Sequence, residues 1–310
     1  MNYAVLVATR NRPKTLGSLL KSLEIQVPPP RQIIVVSSGE DISLLLRRFK
    51  QLSITHRHLE ESGQIRQKMA GIKLVDKGIE WVLFIDDDCA LHEQAIENLS
   101  SFILKSEDTD KKIEKVRGIG LRIIEPGVNA KRRKHRIGVE KLGKVSQSGK
   151  AFNYMHSDQV IETFWLNGVS IWRSDSLISY NFPLTKSRYA YSEDLIFSYS
   201  VSKTGRLMYY PDSICYMELP ASYSQKSFEI LQSVLFWRYY FVASNTDLSP
   251  VLMYLDLFKI ALLFFLRNPR SCFRHVREIS KTLFIILQAL LLRKNPRVIL
   301  EEVEWFRDKS

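Results

Sequence analysis

The sequence predicts an α/β fold with a mostly parallel sheet flanked by helices, followed by a helical extension. In the first third of the chain, short apolar runs rich in β-forming residues alternate with segments whose apolar residues recur at helical spacing. Such alternation favours parallel strands joined by crossover helices. From Phe228 onward the composition changes to long apolar segments flanked by cations. These two observations define the fold class.

Four strands are predicted in the first third of the chain, each an apolar run that ends at polar residues. They cover residues 3–8, 33–36, 54–59 and 81–85, and helices are predicted between them near residues 16–23, 42–46 and 63–75. The carboxyl ends of parallel strands share one rim of a sheet, where open α/β sheets bind ligands. Loops 9–12, 37–40 and 86–88 are therefore expected to lie near each other.

The next part of the chain has less regular patterns. Residues 164–173 form an apolar run whose central Gly168 indicates close approach of another group to the backbone. The basic run at residues 131–136 is typical of a solvated loop, and otherwise of a segment that meets phosphate or an anionic membrane. The other elements predicted here are a helix at residues 92–104, a strand at 116–124 and a helix at 192–199.

The tail contains two apolar segments, at residues 251–266 and 282–292. Neither reaches the roughly 20 apolar residues that span a bilayer. Cations cluster between and just after them, which is typical of an interfacial anchor on an anionic membrane surface. Amphipathic helices packed on the preceding domain or on a dimer partner explain the pattern equally well.

We expect one domain over residues 1–227, with halves 1–125 and 126–227, and an extension over 228–310.

The composition of the chain indicates which cellular compartment and which kinds of partner are expected. The chain has 45 Lys and Arg against 33 Asp and Glu, and this net charge of +12 favours anionic partners. Three scattered cysteines and the lack of an evident secretion signal fit a reducing, cytoplasmic compartment. The basic run lacks interleaved aromatic residues, so no nucleic-acid partner is expected. Neither a P-loop nor a G-x-G-x-x-G motif occurs.

The strongest chemical signal is the triplet Asp86, Asp87 and Asp88 at the end of the fourth predicted strand. Adjacent carboxylates repel one another, and a divalent cation can hold them together. A solvated acidic loop explains the triplet equally well. Glu193 and Asp194 present a similar choice, because the helix dipole favours acids in a first turn without any catalytic role. For each motif, the residue patterns alone leave both the functional and the purely structural explanation open.

Several motifs follow one another in order between residues 7 and 194. They are Val-Ala-Thr-Arg-Asn-Arg at 7–12, Arg-Gln-Lys-Met-Ala-Gly-Ile at 66–72, the acidic triplet, Trp-Leu-Asn-Gly at 165–168 followed by Arg173, and Ser-Glu-Asp at 192–194. Together they resemble glycosyltransferase family 2, whose members are inverting, sugar-nucleotide-dependent enzymes of the GT-A fold. Lys68 and Met69 depart from that family's R-Q-R-N-x-G-I helix. The resemblance implies a GT-A-type, Rossmann-like sheet.

The resemblance also implies a role for each motif. Asp194 corresponds to the catalytic base with Glu193 as its neighbour, and Asp88 to the most direct ligand of Mg²⁺ or Mn²⁺, with Asp86 facing the metal or the ribose. Glu218 is a weaker metal candidate, because Met217 occupies the position of a metal-binding His in many members. The expected donor-binding residues are Thr9, Arg10, Asn11, Arg12, Ser37, Arg66, Lys68, Asp86 and Asp87. The expected acceptor-side residues are Trp165, Asn167, Gly168 and Arg173.

These features predict an inverting glycosyltransferase that extends a saccharide or lipid-linked saccharide, as in polysaccharide biosynthesis. The tail and the charge predict a peripheral position on the cytoplasmic face of the cell membrane. One alternative is a degenerate, non-catalytic transferase that acts as a membrane- or partner-binding scaffold. It is motivated by Met217 and by Ser37-Ser38, which stand where the second strand of the family commonly ends in acids. Another is a haloacid-dehalogenase-type phosphatase with Asp86 as nucleophile, although that motif normally lies near the start of its fold.

Overall fold

The computed structural model describes residues 1–109, 115–126, 139–185, 190–218, 228–267 and 269–305. The chain divides into two compact units. The first comprises Met1–Lys144, Phe152–Asn181 and Phe197–Ser222, and the second comprises Val145–Ala151, Phe182–Ile196 and Tyr223–Ser310. The basic run at residues 131–136 lies outside the described residues.

The first unit is built on one sheet with helices packed against it. Its described strands are β1 (Tyr3–Arg10), β2 (Gln32–Ser38), β3 (Ile54–Leu59), β4 (Trp81–Phe84), β5 (Cys89–Leu91), β6 (Val116–Ile124), β7 (Ile161–Thr163), β8 (Ser170–Arg173) and β9 (Arg206–Met217). Its helices are α1 (Pro13–Glu24), α2 (Ser43–Leu46), α3 (Gln64–Ile72) and α4 (Ala95–Thr109), and α5 (Glu193–Ser202) starts in the second unit and ends in the first.

The order of the strands across the sheet is β3-β2-β1-β4-β8-β6-β9-β5, with β7 also paired to β9. Neighbours are parallel from β3 to β4, and β6 is parallel to β9. The antiparallel strands are β8, β5 and β7. The predicted α/β fold with a mostly parallel sheet is therefore confirmed.

The core lies on both faces of the first strands, as their uninterrupted apolar runs predict. All seven residues of β2 are buried, and β1 is buried from Tyr3 to Val7. On one face, α1 contributes Leu16, Leu19, Leu20 and Leu23, whose helical spacing places them on one side of that helix. Burying one such leucine contributes roughly 1.5–3 kcal/mol.

The strand order reverses between β1 and β4. From β1 the chain runs outward to β2 and β3 and then returns to form β4 on the other side of β1. The crevice outside the carboxyl ends of two such strands is where open α/β sheets bind ligands. Because β1 ends at Arg10 and β4 at Phe84, loops 9–12 and 86–88 meet at this crevice.

Strand β9 had no clear signal in the sequence. Pro211, Asp212 and Ser213 interrupt its apolar residues, and proline and aspartate are residue types that are depleted in strands. The structure accommodates them in an irregularity, because the register with β6 passes from Leu121 opposite Tyr210 to Arg122 opposite Ile214. A bulge of this kind lets a strand continue past residues that cannot join the ladder.

The second unit is mainly helical. Its helices are α6 (Phe228–Ala243), α7 (Pro250–Arg267), α8 (Pro269–Leu291) and α9 (Pro296–Glu302). Helix α8 starts well before the predicted segment at 282–292, because the cation-rich residues that precede it continue the same helix. Among the helices of the described residues, none is both long and apolar enough to cross a membrane.

One charged residue that interrupts the apolar run of α7, Asp256, makes its contacts inside the second unit. Asp256 Oδ2 accepts a hydrogen bond from Ser148 Oγ at 3.1 Å and lies 3.9 Å from Arg238 Nη1 of α6. The side chain of Arg238 is mostly buried. A buried cation requires such a partner, so Asp256 joins α7 to α6.

Candidate active site

Asp87 points into the first unit. Its Oδ2 accepts a hydrogen bond from Thr9 Oγ1 at 2.6 Å, and its Oδ1 accepts one from Arg12 Nη1 at 3.1 Å. Asp87 is 5% exposed and Thr9 is 3% exposed. Burial raises the pKa of the Asp87 carboxyl, while the Thr9 hydroxyl and the Arg12 cation act in the opposite direction. This aspartate therefore joins the loop after β4 to the end of β1.

Asp88 lies nearer the surface and shares Arg12 with Asp87. Its Oδ2 accepts a hydrogen bond from Arg12 Nη1 at 2.9 Å. Burial acts to lower the pKa of Arg12, but the two carboxylates outweigh it and the pKa is raised. One cation thus offsets the repulsion between two adjacent acids.

Asp86 faces a different pair of segments. Gln64 Nε2 donates a long hydrogen bond of 3.5 Å to its Oδ1. A Cβ placed on Gly168 would lie 3.3 Å from its Oδ2, so the backbone of the loop before β8 passes close to this carboxylate. The structure therefore brings Gly168 to the acidic triplet, and the predicted close backbone approach is found there.

The loop after β1 is braced against the loop after β2. Asn11 has a left-handed backbone with φ of 53°, and its Oδ1 accepts a hydrogen bond from the Glu40 amide at 2.9 Å. Gly39 has φ of 86°, and a Cβ there would lie 2.1 Å from Asn11 Oδ1. Gln67 of α3 donates 2.8 Å hydrogen bonds to the carbonyls of Thr9 and Val36. The predicted meeting of loops 9–12, 37–40 and 86–88 is confirmed.

Ser37, at the end of β2, contacts two histidines of β3. Its Oγ lies 2.8 Å from His56 Nε2 and 3.1 Å from His58 Nδ1. Burial and the neighbouring His58 lower the pKa of His56, while Asp41 raises it. The sequence shows that the two histidines share one strand face, but the parallel register that sets Ser37 opposite His58 is visible only in the fold.

The cations among the expected donor-binding residues differ in their surroundings. Arg66 forms an exposed ion pair with Glu61 at 2.8 Å, and Arg10 is exposed at the end of β1. Lys68 is 4% exposed, and its Nζ lies 5.5 Å from the centre of the Phe84 ring. Arg12 lies directly against Asp87 and Asp88.

The acceptor-side motif is largely buried within the first unit. Trp165 Nε1 donates to the Phe152 carbonyl at 3.1 Å, and Asn167 Nδ2 donates to the Leu121 carbonyl at 2.8 Å. These bonds position the loop that carries Gly168. Arg173 is not brought to the acids, because it pairs with Trp81 at the start of β4 and stacks over that indole at 5.0 Å.

The end of β9 lies beside the triplet. Met217 is paired with Cys89, and the Glu218 amide donates a 2.7 Å hydrogen bond to the Asp88 carbonyl. Glu218 itself is exposed. Across the described ranges, no group of three or more His, Cys, Asp or Glu side chains is arranged to hold a metal ion.

The donor set at the triplet nevertheless fits one type of metal binding. Mg²⁺ is usually held by one or two carboxylates together with waters and substrate phosphates, not by a complete protein cage. Asp86 and Asp88 supply two hard oxygen ligands of this kind, whereas Asp87 is enclosed by Thr9 and Arg12. The site therefore fits a cation whose other ligands come from a bound diphosphate.

Glu193 and Asp194 belong to the second unit, in the first turn of α5. Glu193 is buried, and Asp194 Oδ1 accepts a 2.8 Å hydrogen bond from the Leu195 amide. Ser192 has φ of 66°, an uncommon value for a residue other than glycine. Backbone strain of this kind is concentrated at functional sites.

Comparison with known proteins gives a family match over less than half of the chain and a similar fold over most of it. The family described as "Glycosyl transferase family 2" matches residues 4–145, which include the acidic triplet. Comparison with curated protein sequences gave no match. The match to a transferase family favours sugar transfer over the phosphatase alternative.

Solved structures with a similar fold include a mannosyltransferase and a protein in complex with UDP-GlcNAc. S. aureus TarS 1–349 in complex with UDP-GlcNAc has a TM-score of 0.60 and 17% identity, covering 93% of this chain and 81% of that chain. Mannosyltransferase PcManGT from Pyrobaculum calidifontis, in complex with GDP-Man and Mn²⁺, has a TM-score of 0.54 and 15% identity, covering 97% and 81%. A longer S. aureus TarS chain has a TM-score of 0.55 and 18% identity, covering 86% of this chain but only 43% of that one. The shared architecture is the GT-A fold.

Proposed function

We propose that the chain transfers a sugar from a nucleotide donor to a saccharide or lipid-linked saccharide, with inversion at the anomeric carbon, because residues 4–145 match the family described as "Glycosyl transferase family 2". The single observation that carries the proposal is the triplet Asp86, Asp87 and Asp88 at the reversal point of the strand order within this matched segment. Two related folds hold UDP-GlcNAc or GDP-Man, which supports a nucleotide-sugar donor.

The proposed cofactor is Mg²⁺ or Mn²⁺ held by Asp86 and Asp88. When bound, such an ion stabilises the negative charge of a departing nucleoside diphosphate. Arg12 adds a positive charge at the same place, and its bonds to Asp87 and Asp88 keep the guanidinium oriented. Asp87 and Gln67 fix the loop ends, so the donor site is preorganised before the donor binds.

The proposed general base is Asp194. The acceptor hydroxyl must lose a proton as it attacks the anomeric carbon from the face opposite the diphosphate, and a carboxylate can accept it. Support comes from the Glu193-Asp194 motif and from the left-handed Ser192 before it. Glu193 is buried and is assigned the role of orienting Asp194 or the acceptor.

The test is a screen of sugar nucleotides with Mn²⁺, measured by release of nucleoside diphosphate. We expect one donor to be turned over, and Asp194→Asn to lower the rate by about 10²–10⁴-fold. Asp212→Asn, an exposed aspartate of β9, is the matched control and should keep the wild-type rate. No turnover of any donor would support the scaffold alternative, and an Asp194→Asn variant with full rate would exclude this residue as the base.

We further propose a peripheral position on the cytoplasmic face of an anionic membrane. Support comes from five exposed apolar residues at helical spacing along α7, called here the α7 stripe: Val251, Leu255, Phe258, Leu262 and Leu266. Contiguous exposed apolar surface of this kind marks interaction sites, and neighbouring cations favour an anionic partner.

A further inference from the structure

We propose that the second unit contains a binding cavity for a lipid phosphate, and that this lipid is the anchor of the acceptor. The inference rests on the lipid-linked form of the proposed function, in which the acceptor saccharide carries a lipid. The class of ligand is an apolar chain that carries a phosphate head. The apolar walls of the cavity, the cations that line it and its continuity with the α7 stripe support the proposal.

The cavity lies among α6, α7, α8 and the start of α9, and its volume is about 1040 Å³. Small-molecule sites usually occupy about 300–1,000 Å³, so the space is large enough for an extended ligand. Its walls are mainly apolar, and they include Pro250, Val251, Leu255, Leu287 and Leu290. Such walls favour a hydrocarbon chain, because a sugar would lose hydrogen bonds to water there without replacing them.

Among the described residues, three cations line the cavity. Arg293 and Lys294 line it and are exposed, and Arg297 lines it from the first turn of α9. Arg297 also pairs with Glu301 at 3.1 Å and donates to the Phe182 carbonyl at 3.2 Å. Arginine and lysine beside an apolar cavity complement a phosphate at the end of a hydrocarbon chain.

The backbone that carries these cations ends α8 in a Schellman turn. The Arg293 amide donates to the Leu290 carbonyl at 3.2 Å, and the Lys294 amide donates to the Ala289 carbonyl at 2.9 Å. Arg293 occupies the left-handed position of this turn, with φ of 49°. Glycine is the usual residue at this position, because a side chain makes the left-handed backbone conformation less favourable. A binding role for the Arg293 side chain explains why an arginine occupies it.

The cavity is continuous with the α7 stripe. Val251 and Leu255 line the cavity and also belong to the stripe, and they are 70% and 62% exposed. Leu291 lines it from α8 and is also exposed. A lipid chain can therefore move from a membrane bound at the stripe into the cavity along apolar surface, without crossing a polar barrier.

The test measures binding of radiolabelled farnesyl phosphate to the full chain by equilibrium dialysis, without donor or metal. We expect saturable binding, and at least about tenfold weaker competition by farnesol or inorganic phosphate, because each has only one part of the ligand. Ala243→Trp fills the cavity, and Arg293→Gln with Lys294→Gln removes two of the cations that line it. Each change should weaken binding by about tenfold or more, with thermal melting as the check on folding.

The matched controls are Ser280→Trp and the pair Lys259→Gln with Arg277→Gln, all at exposed positions outside the cavity lining. They should bind farnesyl phosphate as the wild type does. Absence of binding, equal binding by cavity and control variants, or a stable dimer that binds no lipid would overturn the proposal. Donor turnover without lipid binding would reject this inference alone, whereas lipid binding without donor turnover would reject the proposed function, and with it the role of the lipid as acceptor anchor, but not the lipid site.

Discussion

Asp87 is the residue of the triplet whose role is most clearly structural. It is almost completely buried and accepts hydrogen bonds from both Thr9 and Arg12. Asp87→Ala leaves a buried hydroxyl without its acceptor and removes a partner of the cation. We expect the free energy of unfolding, measured by urea titration, to fall by about 2 kcal/mol.

The control for Asp87 is Glu61→Ala, which breaks an exposed ion pair with Arg66. Pairs on the surface contribute little, so a loss of about 0.5 kcal/mol or less is expected. Equal losses in the two variants would contradict the view that Asp87 joins the loops after β1 and β4.

His56 should make the stability of the first unit depend on pH. Burial, followed by the neighbouring His58, lowers its pKa in the folded state. The unfolded chain therefore binds the proton more readily once the pH falls below about 6.5, and the folded state loses stability relative to it. The loss should stop below the folded-state pKa, where both states are protonated.

The measurement is the melting temperature of the wild type and of His56→Gln between pH 5 and pH 8. As the pH falls from neutral, the melting temperature of the wild type should decrease more than that of His56→Gln, since glutamine does not titrate. Parallel curves for the two proteins would show that His56 does not titrate differently on folding.

At the scale of elements, the sequence predicts strands and helices best where the apolar residues follow a single pattern, either a continuous run or helical spacing. The strands β1, β2, β3, β4 and β6 lie where their apolar runs predict them, and α1 follows the spacing of its leucines. Strand β9 is not predicted from the sequence, because Pro211 and its neighbours interrupt its apolar pattern. They lie where the register between β9 and β6 shifts, and this shift is visible only in the pairing of the two strands. Helix α8 is longer than its apolar segment, because its charged half has the helical period without the hydrophobicity.

Helix α7 carries the prediction about membranes. Phe258, Leu262 and Leu266 belong to the α7 stripe but do not line the cavity. Changing all three to Gln should lower the partition coefficient onto phosphatidylglycerol–phosphatidylcholine vesicles by at least about tenfold, because each loses most of its apolar surface. Co-sedimentation with the vesicles measures this.

The control for α7 changes three exposed apolar residues of the first unit, Leu44, Leu104 and Ile178, to Gln. This variant should bind vesicles as the wild type does. A vesicle affinity that survives the α7 substitutions would place the membrane contact elsewhere or remove it.

For the whole molecule, the sequence predicts which loops form the candidate site better than it predicts their contacts. The order of the strands brings the loops after β1, β2 and β4 together, as alternating strands and helices predict. The inward direction of Asp87, the position of Arg12 between two acids and the bracing by Gln67 depend on turn geometry and register, which short-range patterns do not contain. Arg173 lies at the other end of β4 because its strand is antiparallel, a direction that the motif does not specify.

The most direct test of the central claim is the Mn²⁺ dependence of nucleoside diphosphate binding, measured by calorimetry with UDP and GDP. We expect one of them to bind at least about tenfold more tightly with Mn²⁺, because the ion joins the phosphates to Asp86 and Asp88. The double variant Asp86→Asn and Asp88→Asn should lose this dependence while it keeps the melting temperature of the wild type to within a few degrees. Equal Mn²⁺ dependence in the two proteins would contradict the assignment of the triplet as the metal and donor site.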